Sequence, residues 1–311
     1  MKLAVITDSS ADFAEKYKTY ENLFVLDIPI SIDGVDYDLQ KISHEEWYDL
    51  MAEAQEVPKT SQPRVAELDR LLKDLEKQGY THVLGLFLPA AISGFYQNIF
   101  YLQSEYEQMK VVFPETFITS SPLGYMVETV LDLAEAGVEF EEIIAKFEEQ
   151  RDGDRAYMLV DDLHWLAKGG RLSNGAAVLG TLLNIKPVLT FSTEGKVEVF
   201  EKVRTVKKTM SRMKELLLKD AKDPLAYKVY VIHTRAEDRA QELYDYALSQ
   251  GFDDVEIVTF GPVIATHLGL NTVAYGISPK KIKHVFTCFY LKTNILNNKN
   301  NSYFYKILIS L

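Results

Sequence analysis

Hydroxyl-bearing residues cluster at three points in the first half of the chain, where an apolar, strand-like run leads into a helix-like pattern. These points are Thr60-Ser61-Gln62-Pro63, Ile92-Ser93-Gly94 and Ser120-Ser121-Pro122. The unpaired N–H groups and the dipole of a helix N-terminus favour a bound anion. Because the carboxyl ends of parallel strands meet at one edge of a sheet, the three turns together predict an anion site. The alternative is that each serine or threonine only caps its own helix.

The second half contributes two arginines and a histidine. Gly169-Gly170-Arg171 separates two helix-like stretches, Arg204 lies in "FEKVRTVKK" at the end of a strand-like run, and His267 lies in "GPVIATHLG". A helical hairpin needs a turn but no arginine. Two glycines permit a close turn with unusual dihedral angles, and a guanidinium can hold an anion or an acidic partner with a fixed fork of donors. For an isolated histidine such as His267, a structural role remains as good an interpretation as a functional one.

Several kinds of catalytic and cofactor site are disfavoured by missing motifs. The sequence has no phosphate-binding G-x-x-x-x-G-K-[ST] loop and no G-x-G-x-x-G after a strand, so the usual means of binding ATP or NAD are absent. The histidines and the single cysteine show no metal-ligand spacing. No G-x-S-x-G elbow surrounds Ser93. We therefore expect no cofactor and no metal, and keep a Ser93 hydrolase or transferase only as an alternative.

The composition indicates a cellular compartment and disfavours several classes of binding partner. The chain has 311 residues and a net charge of −11, which disfavours sequence-independent binding to nucleic acid or to anionic lipid. No apolar run is long enough to span a membrane, and "MKLAVITDSS" is typical of a first strand, not a signal peptide. With Cys288 as its single cysteine, the chain forms no internal disulfide. These features predict a cytoplasmic globular protein.

The C-terminal stretch 279–311 differs from the rest of the chain. It contains six lysines, no acidic residue and a cluster of five asparagines at 294, 297, 298, 300 and 301. Removing these lysines from the 34 basic residues leaves 28 against 45 acidic ones, so residues 1–278 carry −17. We therefore predict that 279–311 lies outside the fold, either as a basic appendage or as the product of a shifted reading frame.

The pattern of apolar residues predicts an α/β fold of two domains. In the first half, continuous apolar strands alternate with helical periods, which is typical of a mostly parallel sheet covered by helices. In the second half, a hairpin joined by Ser-Thr-Glu-Gly indicates a mixed sheet. The predicted strands are 3–8, 24–30, 83–88, 111–113, 117–120, 156–160, 185–191, 196–202, 227–233 and 255–261. The predicted helices are 43–54, 65–79, 93–108, 122–136, 162–168, 173–183, 205–219 and 236–250.

Two local signals support these elements. Ser43-His44-Glu45-Glu46 is a capping box for the helix over 43–54, and Gln78-Gly79 is suited to end the helix over 65–79. The acidic stretch 148–154 marks a soft boundary. We accordingly predict domains over 1–154 and 155–278.

Across residues 1–278 the chain resembles the DegV family of bacterial fatty-acid-binding proteins, which includes the fatty-acid-carrying subunits of bacterial fatty acid kinase. No single motif is decisive, but their order and spacing together are highly specific. The matching motifs are "TDSSAD" (7–12), "KTSQP" (59–63), "ISGFYQ" (92–97), "DDLHWLAKGGRLSN" (161–174), "IKPVL" (185–189), "KVRTVKK" (202–208) and "GPVIATHLG" (261–269).

The resemblance implies that one long-chain fatty acid is buried between the two domains. It places the carboxylate at Thr60, Ser61, Ser93, Gly94 and His267. Arg171 and Arg204 would border the headgroup opening, where a partner docks. That partner is an ATP-binding fatty acid kinase subunit, which phosphorylates the carboxylate to an acyl-phosphate for phospholipid metabolism. The chain itself would then be a lipid carrier and not an enzyme.

The sequence departs from the family pattern at the mouth of the implied site. Pro89-Ala90-Ala91 stands where serines are common, Phe95 replaces a threonine, and Leu268-Gly269-Leu270-Asn271 follows the histidine. These changes make the mouth more apolar and the last turn less rich in glycine. The competing hypotheses are a stand-alone enzyme at Ser93 and a module that binds another small anion. They differ from the carrier because the first predicts turnover without a partner and the second predicts no bound lipid.

Overall fold

The computed structural model describes residues 1–175 and 185–280, which form an α/β fold. The strands in these ranges are β1 (Leu3–Asp8), β2 (Leu23–Leu26), β3 (Ile30–Ile32), β4 (Val35–Tyr37), β5 (Lys59–Thr60), β6 (His82–Leu86), β7 (Lys110–Val112), β8 (Arg155–Leu159), β9 (Val188–Phe191), β10 (Val197–Glu201), β11 (Tyr227–Thr234), β12 (Val255–Thr259) and β13 (Thr272–Pro279). The helices are α1 (His44–Glu53), α2 (Val65–Lys77), α3 (Phe95–Ile99), α4 (Ser120–Glu135), α5 (Phe140–Gly153), α6 (Leu163–Lys168), α7 (Val206–Asp220), α8 (Glu237–Ser249) and α9 (Pro262–Leu268).

The first sheet is parallel throughout, in the order β2-β1-β6-β7. Every residue of β1 is buried, as expected for a strand that is covered on both faces. Successive side chains point to opposite faces, so Val5 belongs to the core that contains Met126 of α4. Ile6 belongs to the core that contains Leu72 of α2. The predicted parallel, helix-covered sheet is confirmed.

The second sheet is mixed, in the order β10-β9-β8-β13-β11-β12. Only β11 and β12 pair in parallel among these neighbours, and the other pairs are antiparallel. The predicted hairpin forms between β9 and β10, with Phe191 opposite Val197. The mixed sheet predicted from the second half is therefore confirmed.

A small third sheet, in the order β4-β3-β5, was not expected. The single strand predicted over 24–30 is wrong, because the chain leaves the first sheet after Leu26 and begins β3 at Ile30. Pro29 lies between them and has no N–H to donate to a ladder. Its carbonyl accepts a hydrogen bond from Ser61 N instead. This small sheet brings β5 to the interface between the halves.

Other predictions need correction. The helix expected over 93–108 is divided into α3 and a 3₁₀ helix at Phe100–Ser104, and 117–120 forms no strand. Sequence reasoning missed α5, α9 and β13. Most of the helix predicted over 173–183 lies outside the described residues.

The C-terminal boundary of the fold lies later in the chain than predicted. Pro279 lies in β13 opposite Tyr227, and Lys280 N donates to Ala226 O at 2.8 Å. The predicted limit of the fold at 278 therefore falls inside a strand. Residues 281–311 lie outside the described ranges.

The two halves share an apolar core. One cluster of buried side chains joins Ile28 and Trp47 of the first half to Phe260, Ile264 and Ala274 of the second. Along the chain, α5 ends at Gly153 and β8 begins at Arg155. The division into domains at 154/155 stays a prediction, and the packed surface between those two segments is where the candidate site lies.

Candidate functional site

A cavity of about 340 Å³ lies between the two halves. Its volume is within the range of small-molecule sites, which is roughly 300–1,000 Å³. The mixed sheet and the segments that follow β2 and β6 contribute to its mostly apolar wall. The apolar side chains that line it include Ile28, Leu88, Ile92, Pro122, Met158, Leu166, Phe191, Val197, Ile232, Phe260, Val263, Ile264 and Leu268.

One part of the cavity wall is polar, and it is formed by the residues predicted from the sequence. Thr60, Ser61, Ser93, Gly94 and His267 all line the cavity, together with Arg171. Thr60 Oγ1 lies 2.8 Å from His267 Nε2. The fold thus gathers the predicted headgroup residues, from β5, from the turn before α3 and from α9, at one place.

His267 is held as a neutral imidazole. Burial, together with the smaller effect of the positive charge of Arg171, lowers its pKa to about 3. Only 9% of the residue is exposed, and within the described residues its Nδ1 has no hydrogen-bond partner. A neutral ring provides one donor and one acceptor, so Nε2 either donates to Thr60 or accepts from it.

The Gly169-Gly170-Arg171 turn packs against the Nδ1 side of the His267 ring. Gly170 has φ of +73°, a conformation that glycine adopts without steric cost. A Cβ on Gly169 would lie only 3.0 Å from His267 Nδ1. Arg171 Nη1 donates to Gly169 O at 2.8 Å, and Arg171 Nε donates to Ile92 O at 3.4 Å. The glycines therefore allow this turn to pack against the imidazole and to aim the guanidinium at the cavity.

Arg171 is the main positive charge on the cavity wall. It is partly buried, which lowers its pKa from the usual value for arginine. Within the described residues its hydrogen bonds go to backbone carbonyls, and no carboxylate there forms an ion pair with it. A desolvated guanidinium without a carboxylate partner is suited to bind an anionic group.

The expected helix N-terminus at Thr60-Ser61 is wrong. Thr60 pairs with Ile30 in the small sheet, and α2 begins only at Val65, with no side-chain cap at Arg64. Pairing with β3 therefore holds this segment in an extended conformation. The hydroxyl of Thr60 still reaches the cavity, but it does so from a strand edge.

The turn at Ser93 does lie at a helix N-terminus. Ser93 Oγ accepts a hydrogen bond from Phe95 N at 3.3 Å. A Cβ on Gly94 would lie 2.6 Å from Gln62 Nε2, so glycine allows Gln62 to pack there. Gln62 also accepts from Asn98 Nδ2 at 2.8 Å through Oε1. It lines the cavity and was missed as a site residue, although its place in the "KTSQP" motif was a usable signal.

The third turn, Ser120-Ser121-Pro122, does not offer its serine hydroxyls to the cavity in the way predicted. Thr119 and Ser120 line the cavity, but the hydroxyl of Ser120 donates to Asp12 Oδ2 at 2.8 Å. Ser121 Oγ is buried and has no partner within the described residues. Asp12 also accepts a hydrogen bond from the backbone of Gly261, directly before α9. This turn therefore helps to join the halves through Asp12.

Arg204 does not line the cavity. It is exposed on the segment between β10 and α7 and borders a separate surface depression with Lys202, Lys208 and Arg212. The structure thus separates Arg204 from the cluster that contains Arg171 and His267, and its predicted role at the headgroup opening remains a prediction.

The described residues show little support for catalysis by Ser93. Within these residues the Ser93 hydroxyl accepts a hydrogen bond from Phe95 N, whereas the imidazole of His267 is hydrogen-bonded to Thr60. No set of three His, Cys, Asp or Glu side chains in the described ranges is arranged to hold a metal ion. In those same ranges no helix has the length and apolarity needed to cross a bilayer.

The fold and the site define an α/β protein with an apolar cavity between its two halves, and part of the cavity wall is polar and cationic. The model of the DegV family, described as "Uncharacterised protein, DegV family", matches residues 2–280. A DegV domain-containing protein of Streptococcus pneumoniae is 50% identical over 281 residues, which cover 90% of this chain and 99% of that protein. This chain belongs to the DegV family.

Solved structures agree with this assignment. A fatty acid binding DegV family protein from Streptococcus agalactiae is 49% identical, with a TM-score of 0.87, and the match covers 90% of this chain and all of that one. DegV from Bacillus subtilis, described as a fatty acid binding protein, is 31% identical, with a TM-score of 0.80 and the same coverage. The chain is therefore similar in sequence and in fold to proteins that bind fatty acids.

Proposed function

We propose that this protein carries one long-chain fatty acid in the cavity between its halves. The observation that supports this most directly is the apolar cavity whose polar wall contains the Thr60–His267 pair, Ser93 and Arg171. Each buried methylene contributes roughly 0.8 kcal/mol, so a dozen contribute about 10 kcal/mol towards the cost of ordering the chain. The polar residues then fix the headgroup.

The hydrogen-bond geometry supports a defined role for each polar group. When His267 Nε2 donates to Thr60 Oγ1, the hydroxyl proton of Thr60 is free to donate to a carboxylate. Ser93 offers a second hydroxyl, and Arg171 offers charge that its surroundings leave without a carboxylate partner in the described residues. Because His267 is neutral, Arg171 compensates the ligand's charge, and the hydroxyls and imidazole orient the ligand.

We further propose that the carrier presents its lipid to an ATP-binding kinase subunit in the cytoplasm. The partner would phosphorylate the carboxylate and supply acyl-phosphate for phospholipid metabolism. The sequence resemblance supports this step, as does the lack of an ATP-binding motif in the chain itself. In this proposal the protein is a substrate-carrying subunit and provides no catalytic residue of its own.

Mass spectrometry of denatured, purified protein tests the carrier. We expect one fatty acid of long chain length per protein. A site that is empty after purification and that takes up no added palmitate would reject the proposal and favour a module for another small anion. Transfer of labelled phosphate from ATP to the bound lipid, only when the kinase subunit is added, tests the partnership separately.

A further inference from the structure

One tryptophan joins the two segments that carry the guanidinium and the imidazole of the polar wall. Trp165 lies in α6, the helix that ends at the Gly169-Gly170-Arg171 turn, and its Nε1 donates to Thr266 O at 2.8 Å. Thr266 directly precedes His267 in α9. A single side chain therefore connects α6, which leads to Arg171, with α9, which carries His267.

The hydrogen bond from Trp165 pairs a carbonyl at the end of α9. The last carbonyls of a helix have no N–H partner within that helix, and α9 ends at Leu268, so the carbonyl of Thr266 is one of them. The carbonyl of Leu268 accepts from Thr272 Oγ1 at 3.1 Å. Trp165 thus supplies, from another helix, a donor to the end of α9 at which His267 lies.

The indole ring also packs on the glycine that follows α9. Gly269 has φ of +78°, and a Cβ at this position would lie 3.2 Å from Trp165 Cδ1 and Cγ. At the end of α6, Gly169 N donates to Trp165 O at 3.0 Å, and Gly169 itself packs against the ring of His267. The two glycines therefore let α6 and α9 approach closely at both the indole and the imidazole.

We propose that Trp165 is a positioning residue for the fatty-acid headgroup, which holds α9 against α6 so that His267 and Arg171 face the same carboxylate. The inference rests on the proposed function, because Trp165 acts on the ligand through the polar wall. Within the described residues, Trp165 lies outside the cavity wall and borders a neighbouring groove that shares Thr60, Arg171 and His267 with the cavity. The indole is therefore placed to orient these groups without contact with the acyl chain.

Replacement of the indole by a phenyl ring isolates the hydrogen bond. Trp165→Phe keeps an aromatic ring beside Gly269 and removes the donor to Thr266 O. It should weaken the binding of palmitate by about threefold or more. Methyl palmitate has the same chain without the carboxylate, and its affinity should fall by less than about twofold. Displacement of a fluorescent fatty acid measures both ligands.

Trp47 provides the matched control, because the chain has two tryptophans. It is fully buried in the core, and within the described residues its Nε1 has no hydrogen-bond partner. Trp47→Phe therefore removes an indole N–H that holds no described segment in place. The ratio of palmitate affinity to methyl palmitate affinity should stay as in the wild type.

A double-mutant cycle tests whether Trp165 acts through His267, and it uses palmitate alone. His267→Gln removes the imidazole that Trp165 is proposed to position. In that background, the addition of Trp165→Phe should reduce palmitate affinity by less than about twofold, because residues that act through one another have non-additive effects. Two independent effects would instead give the same fold loss in both backgrounds.

The outcomes distinguish the positioning role from the carrier itself. If Trp165→Phe leaves palmitate affinity unchanged, weakens both lipids equally, or causes the same fold loss with His267→Gln, then Trp165 only stabilises the fold and the carrier stands. The same selective loss of palmitate in Trp47→Phe would also overturn the inference. If the wild-type protein does not bind palmitate, the proposed function itself fails.

Discussion

Thr60 Oγ1 and His267 Nε2 lie 2.8 Å apart although 207 positions separate the two residues. The contact joins the edge strand β5 of the first half to α9 of the second. It therefore couples the packing of the two halves to the polar wall of the cavity. The proposals above depend on this pair, and the first prediction addresses it.

Removing the Thr60 hydroxyl should weaken lipid binding. A hydrogen bond to a charged group is worth about 1.5–3 kcal/mol, so Thr60→Val should reduce fatty-acid affinity about tenfold or more. Ser93→Ala should have a similar effect. Thr60→Ser keeps the hydroxyl and should remain within about threefold of the wild type. Titration with a fluorescent fatty acid measures all three, and unchanged affinity in both Thr60→Val and Ser93→Ala would reject the carboxylate site.

The two adjacent glycines offer a matched test of the turn behind His267. A Cβ on Gly169 would press on His267 Nδ1 at 3.0 Å, whereas a Cβ on Gly170 meets no atom within 4 Å. Gly169→Ala should thus lower lipid affinity several-fold. Gly170→Ala should instead cost about 1–2 kcal/mol of stability because of its positive φ, with affinity retained. Equal affinity in the two variants would show that the turn does not position the imidazole.

Asp12 should make stability depend on pH. Burial raises its pKa from 3.8 to about 6, despite hydrogen bonds from Ser120 and Gly261 and the charge of Lys18, which all act to lower it. The folded state therefore binds the proton of the Asp12 carboxyl group more tightly than the unfolded chain does. The resulting stabilisation is complete below about pH 3.8 and is lost as the pH rises through 6.

Asp12→Asn removes that titration. Relative to the wild type, the variant should gain up to about 3 kcal/mol of unfolding free energy between pH 4 and pH 7, on top of any pH-independent effect of the amide. Urea unfolding of both proteins across this range measures the difference. Because Asp8 and Glu115 also have raised pKa values, only the difference between the proteins reports on Asp12. A difference that stays constant with pH would contradict the assignment.

Substitution of Arg171 or Arg204 tests whether these arginines contribute to phosphorylation by the kinase subunit. Arg204 is exposed and has no ion pair with a carboxylate among the described residues, so Arg204→Ala should remain folded and loaded with lipid. It should nevertheless support much slower acyl-phosphate formation with the cognate kinase subunit and ATP. Arg171→Ala should slow the same reaction. A lower melting temperature with less bound lipid in Arg204→Ala would indicate a structural role, and wild-type rates in both variants would reject the proposed contact.

Truncation should locate the end of the fold at Lys280. Removal of residues 281–311 should leave the melting temperature and lipid content unchanged. Truncation after Ser278 also removes the end of β13 and the hydrogen bond from Lys280 N to Ala226 O, and should lower the melting temperature by a few degrees. A loss of stability in the longer truncation product, 1–280, would show that the C-terminal stretch packs on the fold.

The sequence by itself determined the elements whose signals are local. The capping box forms as predicted, with Ser43 Oγ accepting from Glu46 N and the Glu46 carboxylate accepting from Ser43 N. The helix over 65–79 ends at Lys77, followed by Gly79 at φ of +77°. Apolar runs predicted both sheets, and the motifs predicted the family. These signals work because a cap, a turn or a buried strand is specified by residues within a few positions.

Only the tertiary structure decided where the site residues lie. Thr60 is in an extended edge strand because β3, and not its neighbours in sequence, supplies its partner. His267 is neutral because its burial and the charge of Arg171 depress its pKa. Arg204 lies on another surface, although its motif resembles one that borders the headgroup. Strand pairing, desolvation and the closure of a cavity depend on segments far apart in the chain, and no local pattern encodes their meeting.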